Sequence, residues 1–158
     1  MDVRRLTAGE GERIRELRLR ALQEAPYAFS SSFERERDRA AEDWEELAGG
    51  LVVFVAVEND HWLGMVGAYV PDDAPEVVGI WGTWVDPEAR GRGVGRLLMD
   101  AAIEWARDRG AARIELSVTD QADAAFALYQ RLGFVPTGER EPLASDPTRI
   151  EIFMTRPL

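Results

Sequence analysis

Residues 84–99 read W-V-D-P-E-A-R-G-R-G-V-G-R-L-L-M, from Trp84 to Met99. A β-branched and aromatic run ends at Val85, Asp86-Pro87 turns the chain, and glycines alternate at positions 91, 93 and 95 before an apolar helical pattern begins. Strand, glycine loop and helix start, in that order, leave backbone N–H groups free for a phosphate. Glycine at alternate positions removes the Cβ atoms that would hold a pyrophosphate off the main chain. Arg90, Arg92 and Arg96 add forked donors in a chain whose formal charge is −10, the chemistry suited to phosphate oxygens. The stretch predicts a binding loop for a phosphorylated small molecule.

Two phosphate loops are excluded. The G-x-x-x-x-G-K-[ST] loop needs a lysine, and the chain has none. The dinucleotide fingerprint G-x-G-x-x-G needs glycine where Arg96 stands, and a βαβ unit that does not precede this strand. The spacing R-x-x-G-x-G from Arg90 to Gly95 instead resembles the coenzyme A loop of the GNAT acetyltransferase superfamily. A second block, Ala125-Phe126-Ala127-Leu128-Tyr129 followed by Arg131-Leu132-Gly133-Phe134, is similar to that family's A-x-x-L-Y-x-x-x-G-F segment.

At 158 residues the chain predicts one domain over residues 1–158, with 46% apolar and 30% charged residues enough for an ordinary core. Absence of cysteine excludes disulfides, thiolate catalysis and cysteine zinc sites. Strong acidity argues against nucleic acid, and is compatible with a cationic acceptor. No leader or membrane-length apolar run is apparent, so a cytoplasmic protein without membrane partner is the expectation.

The coarse reading begins with a strand at Val3 to Leu6. A capping box at Thr7–Glu10 precedes a helix ended by Pro26, and a second box at Ser31–Glu34 opens one charged helix to about Ala48. Strands at Leu51–Val57 and Leu63–Val70 flank the turn Asn59-Asp60, and Glu76–Val85 leads into the loop. The next helix places Leu97, Leu98, Ala101, Ala102 and Trp105 on one face. Then come a strand at Arg113–Val118, a helix at Ala122–Leu132 capped by Gly133, and strands from Phe134 and Ile150. Strands in a meander, then alternating with helices, indicate an α/β single domain with a mixed sheet. The resemblance implies six to seven largely antiparallel strands and about four helices, splayed where coenzyme A enters.

It also implies the chemistry: direct transfer of acetyl from acetyl-CoA, a cosubstrate, to a primary amine of a small molecule or peptide, with no metal. Residues Arg90, Gly91, Arg92, Gly93, Val94, Gly95 and Arg96 would hold the cofactor, and the main chain of Trp84 and Val85 the pantetheine arm and thioester. Tyr129 would contact the cofactor and protonate the leaving thiolate. Reference pKa values of about 8.5 for a thiol and 10 for a phenol make that transfer feasible. The base stays open between Glu34, Glu76 and a water route. Tyr27, Phe29 and Trp81 are candidate walls of the acceptor pocket, and the period of two sets Trp81 and Trp84 on opposite strand faces. The only histidine, His61, sits at an exposed hairpin tip. Ala122 stands where the family often has an asparagine for the pantetheine arm. Family members are often homodimers. A non-catalytic acyl-CoA binding or sensing domain is the alternative.

Overall fold

A computed structural model describes residues 1–158. The strands are β1 (Asp2–Arg5), β2 (Val52–Glu58), β3 (His61–Tyr69), β4 (Val77–Val85), β5 (Arg113–Thr119), β6 (Val135–Leu143) and β7 (Asp146–Pro157). The helices are α1 (Gly11–Glu24), α2 (Phe33–Glu36), α3 (Ala41–Gly50), α4 (Val94–Asp108) and α5 (Asp123–Arg131). One sheet runs β1-β2-β3-β4-β5-β7-β6, and its only parallel pair is β4–β5. The mixed, largely antiparallel α/β architecture matches the expectation, with seven strands and five α-helices.

Alternation along the strands divides the core in two. Val53, Val55 and Met65 face Ile14, Leu22 and Trp44 under α1 and α3, while Ala56, Val66 and Ala68 face Leu98, Met99 and Ala102 of α4. Asn59 and Asp60 take φ of +49° and +64°, the two left-handed residues that a tight hairpin needs to follow strand twist. No helix is long and apolar enough to cross a membrane.

The parallel contact between β4 and β5 covers only Val77–Gly79 against Arg113–Glu115. Beyond Gly79 the strands part, and β5 continues its ladder with β7 through Thr119. The sheet therefore opens into a cleft whose two walls each keep a strand partner on their far side. That opening positions the site.

Three local expectations are corrected. The charged helix is two helices: the Ser32 hydroxyl accepts from Arg35 N–H at 3.2 Å to start α2, and the Asp43 carboxylate accepts from Ala40 N–H at 3.2 Å to start α3. The buried stripe of α4 is Leu98, Met99, Ala102, Ile103 and Ala106, with Leu97 left 41% exposed. It lies about one position round from the sequence reading, because the helix packs on β2 and β3 as well as β4.

The third concerns β4. The register shifts between Met65↔Trp84 and Gly67↔Trp81, so three steps on β4 oppose two on β3. Gly82 absorbs the extra residue at φ +63°, a β-bulge. Trp81 and Trp84 consequently share one face and one core, where strict alternation had separated them.

At the edge, the Arg4 guanidinium holds Glu10 at 2.5 Å and outweighs burial, with help from Thr7, lowering the carboxyl to about 2. Its unfolded value is about 4.3, so the stability it contributes is present above that pH and is lost as pH falls toward 2. Thermal midpoints should be flat from neutral pH to about 5 and drop below about 4.3, less steeply in Glu10→Gln.

Candidate active site

The loop after β4 leaves its donors unspent. None of the N–H groups of residues 91–96 finds a backbone acceptor; Leu97 is the first of α4 to bond back, to Gly93 O at 3.1 Å. Gly91 and Gly93 take φ of +78° and +81°, which turns consecutive amides toward one side at the helix N-terminus. Close approach matters as well: a Cβ on Gly95 would meet Leu128 Cδ2 at 3.1 Å.

Two of the loop arginines meet carboxylates within the chain. Arg90 donates to Glu24 Oε2 at 2.6 Å and to Val85 O at 3.1 Å, and Arg92 forks onto Glu58 at 2.7 and 2.8 Å. Arg96 is held only loosely, 3.7 Å from Asp100 and 65% exposed. Two of the three charges are therefore matched by carboxylates far away in sequence, and the free donors of the loop are mainly backbone. Glu24 also accepts from Trp84 Nε1 at 2.9 Å. Burial pushes its carboxyl up, but the Arg90 and Trp84 hydrogen bonds prevail and leave it below the usual range. This one carboxylate ties the end of α1 to the end of β4 and to the loop.

A cavity of about 550 Å³ lies beside this network. Its three arginines are already paired, Arg13 with Asp60, Arg20 with Asp86 and Arg92 with Glu58, and Tyr129 does not line it. It is a solvated polar groove, so the chemistry is sought in the cleft.

Tyr129 on α5 stands at the floor of the cleft, 5% exposed, its ring edge against Phe134 at 6.0 Å. Burial pushes its phenol up, and the facing Thr83 hydroxyl of β4 opposes this only in part. It stays a neutral donor at physiological pH. A cavity of about 70 Å³ here is lined by Thr83, Gly82, Leu116, Val118, Ala122 and Tyr129. Asp86 N–H donates to Leu63 O at 2.8 Å, so ladder alternation turns Val85 away from β3, leaving its N–H free on the cleft side while its C=O accepts from Arg90.

A second cavity of about 180 Å³ adjoins the first, sharing Trp81, Gly82, Ser117 and Thr119. Phe29 and Trp81 line it, whereas Tyr27 lies outside it beneath Arg149, 5.8 Å from ring centre to guanidinium. Glu34 and Glu76 line neither cavity. Glu34 is exposed on α2, since Ser32 and Arg35 rather than Ser31 and Glu34 make the cap. Glu76 is half-exposed near Arg113 at 3.8 Å, before the paired end of β4 and away from the splay.

Sequence reasoning missed Arg18, Glu36, Ser117, Thr119 and Glu151. Arg18 and Glu36 form a buried pair, with Nε and Nη2 donating at 3.1 and 2.9 Å. Burial raises the Glu36 carboxyl, but Arg18 above all and Ser31 and Arg39 beside it bring it below its ordinary value. The signal was an arginine at a core position of α1, between Leu17 and Leu19. A Cβ on Gly67 would stand inside the Trp81 indole, so Gly67→Ala should displace Trp81 and cost about 1–3 kcal/mol in chemical unfolding.

A splayed α/β sheet with a donor-rich loop and a buried tyrosine in the cleft defines a small-molecule site suited to a phosphorylated ligand. Residues 13–134 match the Acetyltransferase (GNAT) family, and the chain belongs to that family. It is 37% identical to a mycothiol acetyltransferase of Rhodococcus erythropolis over 100 residues, which are 61% of this chain and 33% of that protein. The chain thus spans about a third of the length of the curated relatives it matches. A GCN5-related N-acetyltransferase from Kribbella flavida superposes with a TM-score of 0.80 at 27% identity, covering 99% of this chain and 97% of that one. A Salmonella typhimurium protein solved with its cofactor acetyl-CoA shares the fold, with a TM-score of 0.80 at 22% identity over 100% of this chain and 94% of that one.

Proposed function

We propose that this chain is an acetyl-CoA-dependent N-acetyltransferase acting on a primary amine. The observation that carries the reading is the run of unspent N–H groups at residues 91–96 opening onto the β4–β5 cleft that holds Tyr129. Acetyl-CoA suits that arrangement: a pyrophosphate matches backbone donors at a helix N-terminus, and an extended arm matches strand edges without partners. Gly91 to Arg96 would hold the pyrophosphate, and the Val85 main chain the arm. When bound, the thioester supplies an activated acetyl group.

The chain's own residues do the rest. Val85 N–H and the bulge at Gly82 orient and polarise from β4. Tyr129, neutral in its buried site, delivers one proton to the departing sulfur as the C–S bond breaks and the C–N bond forms. An acceptor bound as the ammonium first gives one proton to water; the attacking nitrogen then loses a second, which restores Tyr129, so the transfer releases one proton overall. Phe29, Trp81 and Leu143 keep water from the acceptor side.

Calorimetric titration with acetyl-CoA, desulfo-CoA and ATP tests the loop. Binding of both coenzyme species and none of ATP is expected, and failure of both coenzymes would end the proposal. Thiol release with an amine panel then separates turnover from a binding domain that only senses acyl-CoA.

A further inference from the structure

The cavity of about 180 Å³ is lined by Arg18 and Thr119, whose buried Nη1 and Oγ1 find no partner in the chain. Their residues are only 7% and 4% exposed. Buried polar atoms without partners are rare in folded chains, so two of them on one cavity's lining point to a ligand that supplies their partners.

The Arg18 guanidinium is fixed. Glu36 takes Nε and Nη2, and the rings of Phe29 and Trp81 stand 4.9 and 5.7 Å from its central carbon. Gly82 lets β4 pass close to the remaining nitrogen, because a Cβ there would come within 3.2 Å of Nη1. Glu36 also faces Arg39 at 3.5 Å, so the group of two guanidinia and one carboxylate keeps a net positive charge. On the β5 and β7 side the same cavity presents Glu151, which accepts from the Ser117 hydroxyl at 2.5 Å. One side thus offers a preorganised donor for a carboxylate, and the other a carboxylate for an ammonium.

We propose that the acceptor is a free amino acid, its carboxylate on Arg18 Nη1 and its amine toward Thr119 and Glu151, an assignment that rests on the acetyl-transfer reading above. The volume equals the share of about six waters, which suits a compact zwitterion. The Ser145 hydroxyl donates to Phe29 C=O and ties the β6–β7 turn to the segment walling the cavity, which closes that side to an extended peptide.

The test needs no turnover. ¹⁵N-labelled protein without acetyl-CoA is titrated with the proteinogenic amino acids, their decarboxylated amines and short carboxamide-capped peptides. The readouts are the Arg18 Nε–H and Trp81 indole N–H resonances, assigned with Arg18→Lys and Trp81→Phe. At least one amino acid should shift both resonances saturably and bind about tenfold more tightly than its decarboxylated amine, a preference that Arg18→Lys loses. No saturable response, equal affinity for acid and amine, or tighter binding of a peptide would overturn the assignment. Calorimetry with acetyl-CoA separates the two readings. Amino-acid binding without coenzyme binding sinks the transferase and keeps the pocket; the reverse sinks only the pocket.

Discussion

Replacing Tyr129 by Phe is expected to lower kcat by about 100-fold, the lower end of what a positioned general acid contributes, while acetyl-CoA affinity stays within about twofold. The ring is buried against Phe134 and packs in the core with Leu132 and Met154, so the substitution keeps shape and removes one proton donor. The hydroxyl faces a threonine hydroxyl, Thr83, which can rotate to water or to a neighbour, so little stability should be lost. The phenol is held above its ordinary range mainly by burial. The rate of the parent protein should therefore show no loss of this acid below pH of about 10. Steady-state rates by thiol release, with coenzyme affinity by calorimetry, decide the matter: an unchanged kcat removes Tyr129 from the chemistry.

Arg18→Met should cost about 3 kcal/mol of stability, the low end for removing one partner of a buried pair. Glu36 is left 2% exposed, with only the half-exposed Arg39 nearby at 3.5 Å. For a chain of this size the thermal midpoint should fall by about 10 °C. Adding Glu36→Leu to that variant should recover most of the loss, because two apolar groups of similar volume replace the pair without leaving a charge behind. Chemical denaturation of the two variants measures this directly. Equal destabilisation in the single and double variants would mean that packing of the Arg18 stem on Phe29 and Trp81, rather than the stranded charge, sets the cost.

The elements legible in the sequence share a local cause. Asn59-Asp60 is a hairpin because those residue types tolerate positive φ, and both adopt it. Gly133 follows α5 at φ +88°, as a helix C-terminus asks. The glycine loop, its helix and Tyr129 on the next helix follow from spacing alone. Each depends on a few consecutive residues. The errors share a different cause. The shift of the α4 face, the splitting of the charged helix and the common face of Trp81 and Trp84 each depend on what packs opposite. A single bulge residue at Gly82 reverses every inward and outward assignment beyond it.

The same division runs through the site. The sequence by itself determined the meander leading to a phosphate-type loop and the helix that carries Tyr129, because backbone φ preferences and hydrophobic period act within a few residues, and two motif blocks sufficed for the family resemblance. Only the tertiary structure decided which charges are free. Glu24 reaches Arg90 across 66 positions, Glu58 reaches Arg92 across 34, and Glu36 takes two of the three nitrogens of Arg18 across 18. Charge pairing acts through space at a few ångströms, and no local pattern announces which carboxylate will arrive. Nor does any pattern show where β4 and β5 part. That separation comes from β5 holding β7 while β4 holds β3, a competition between ladders settled only when the whole sheet is assembled.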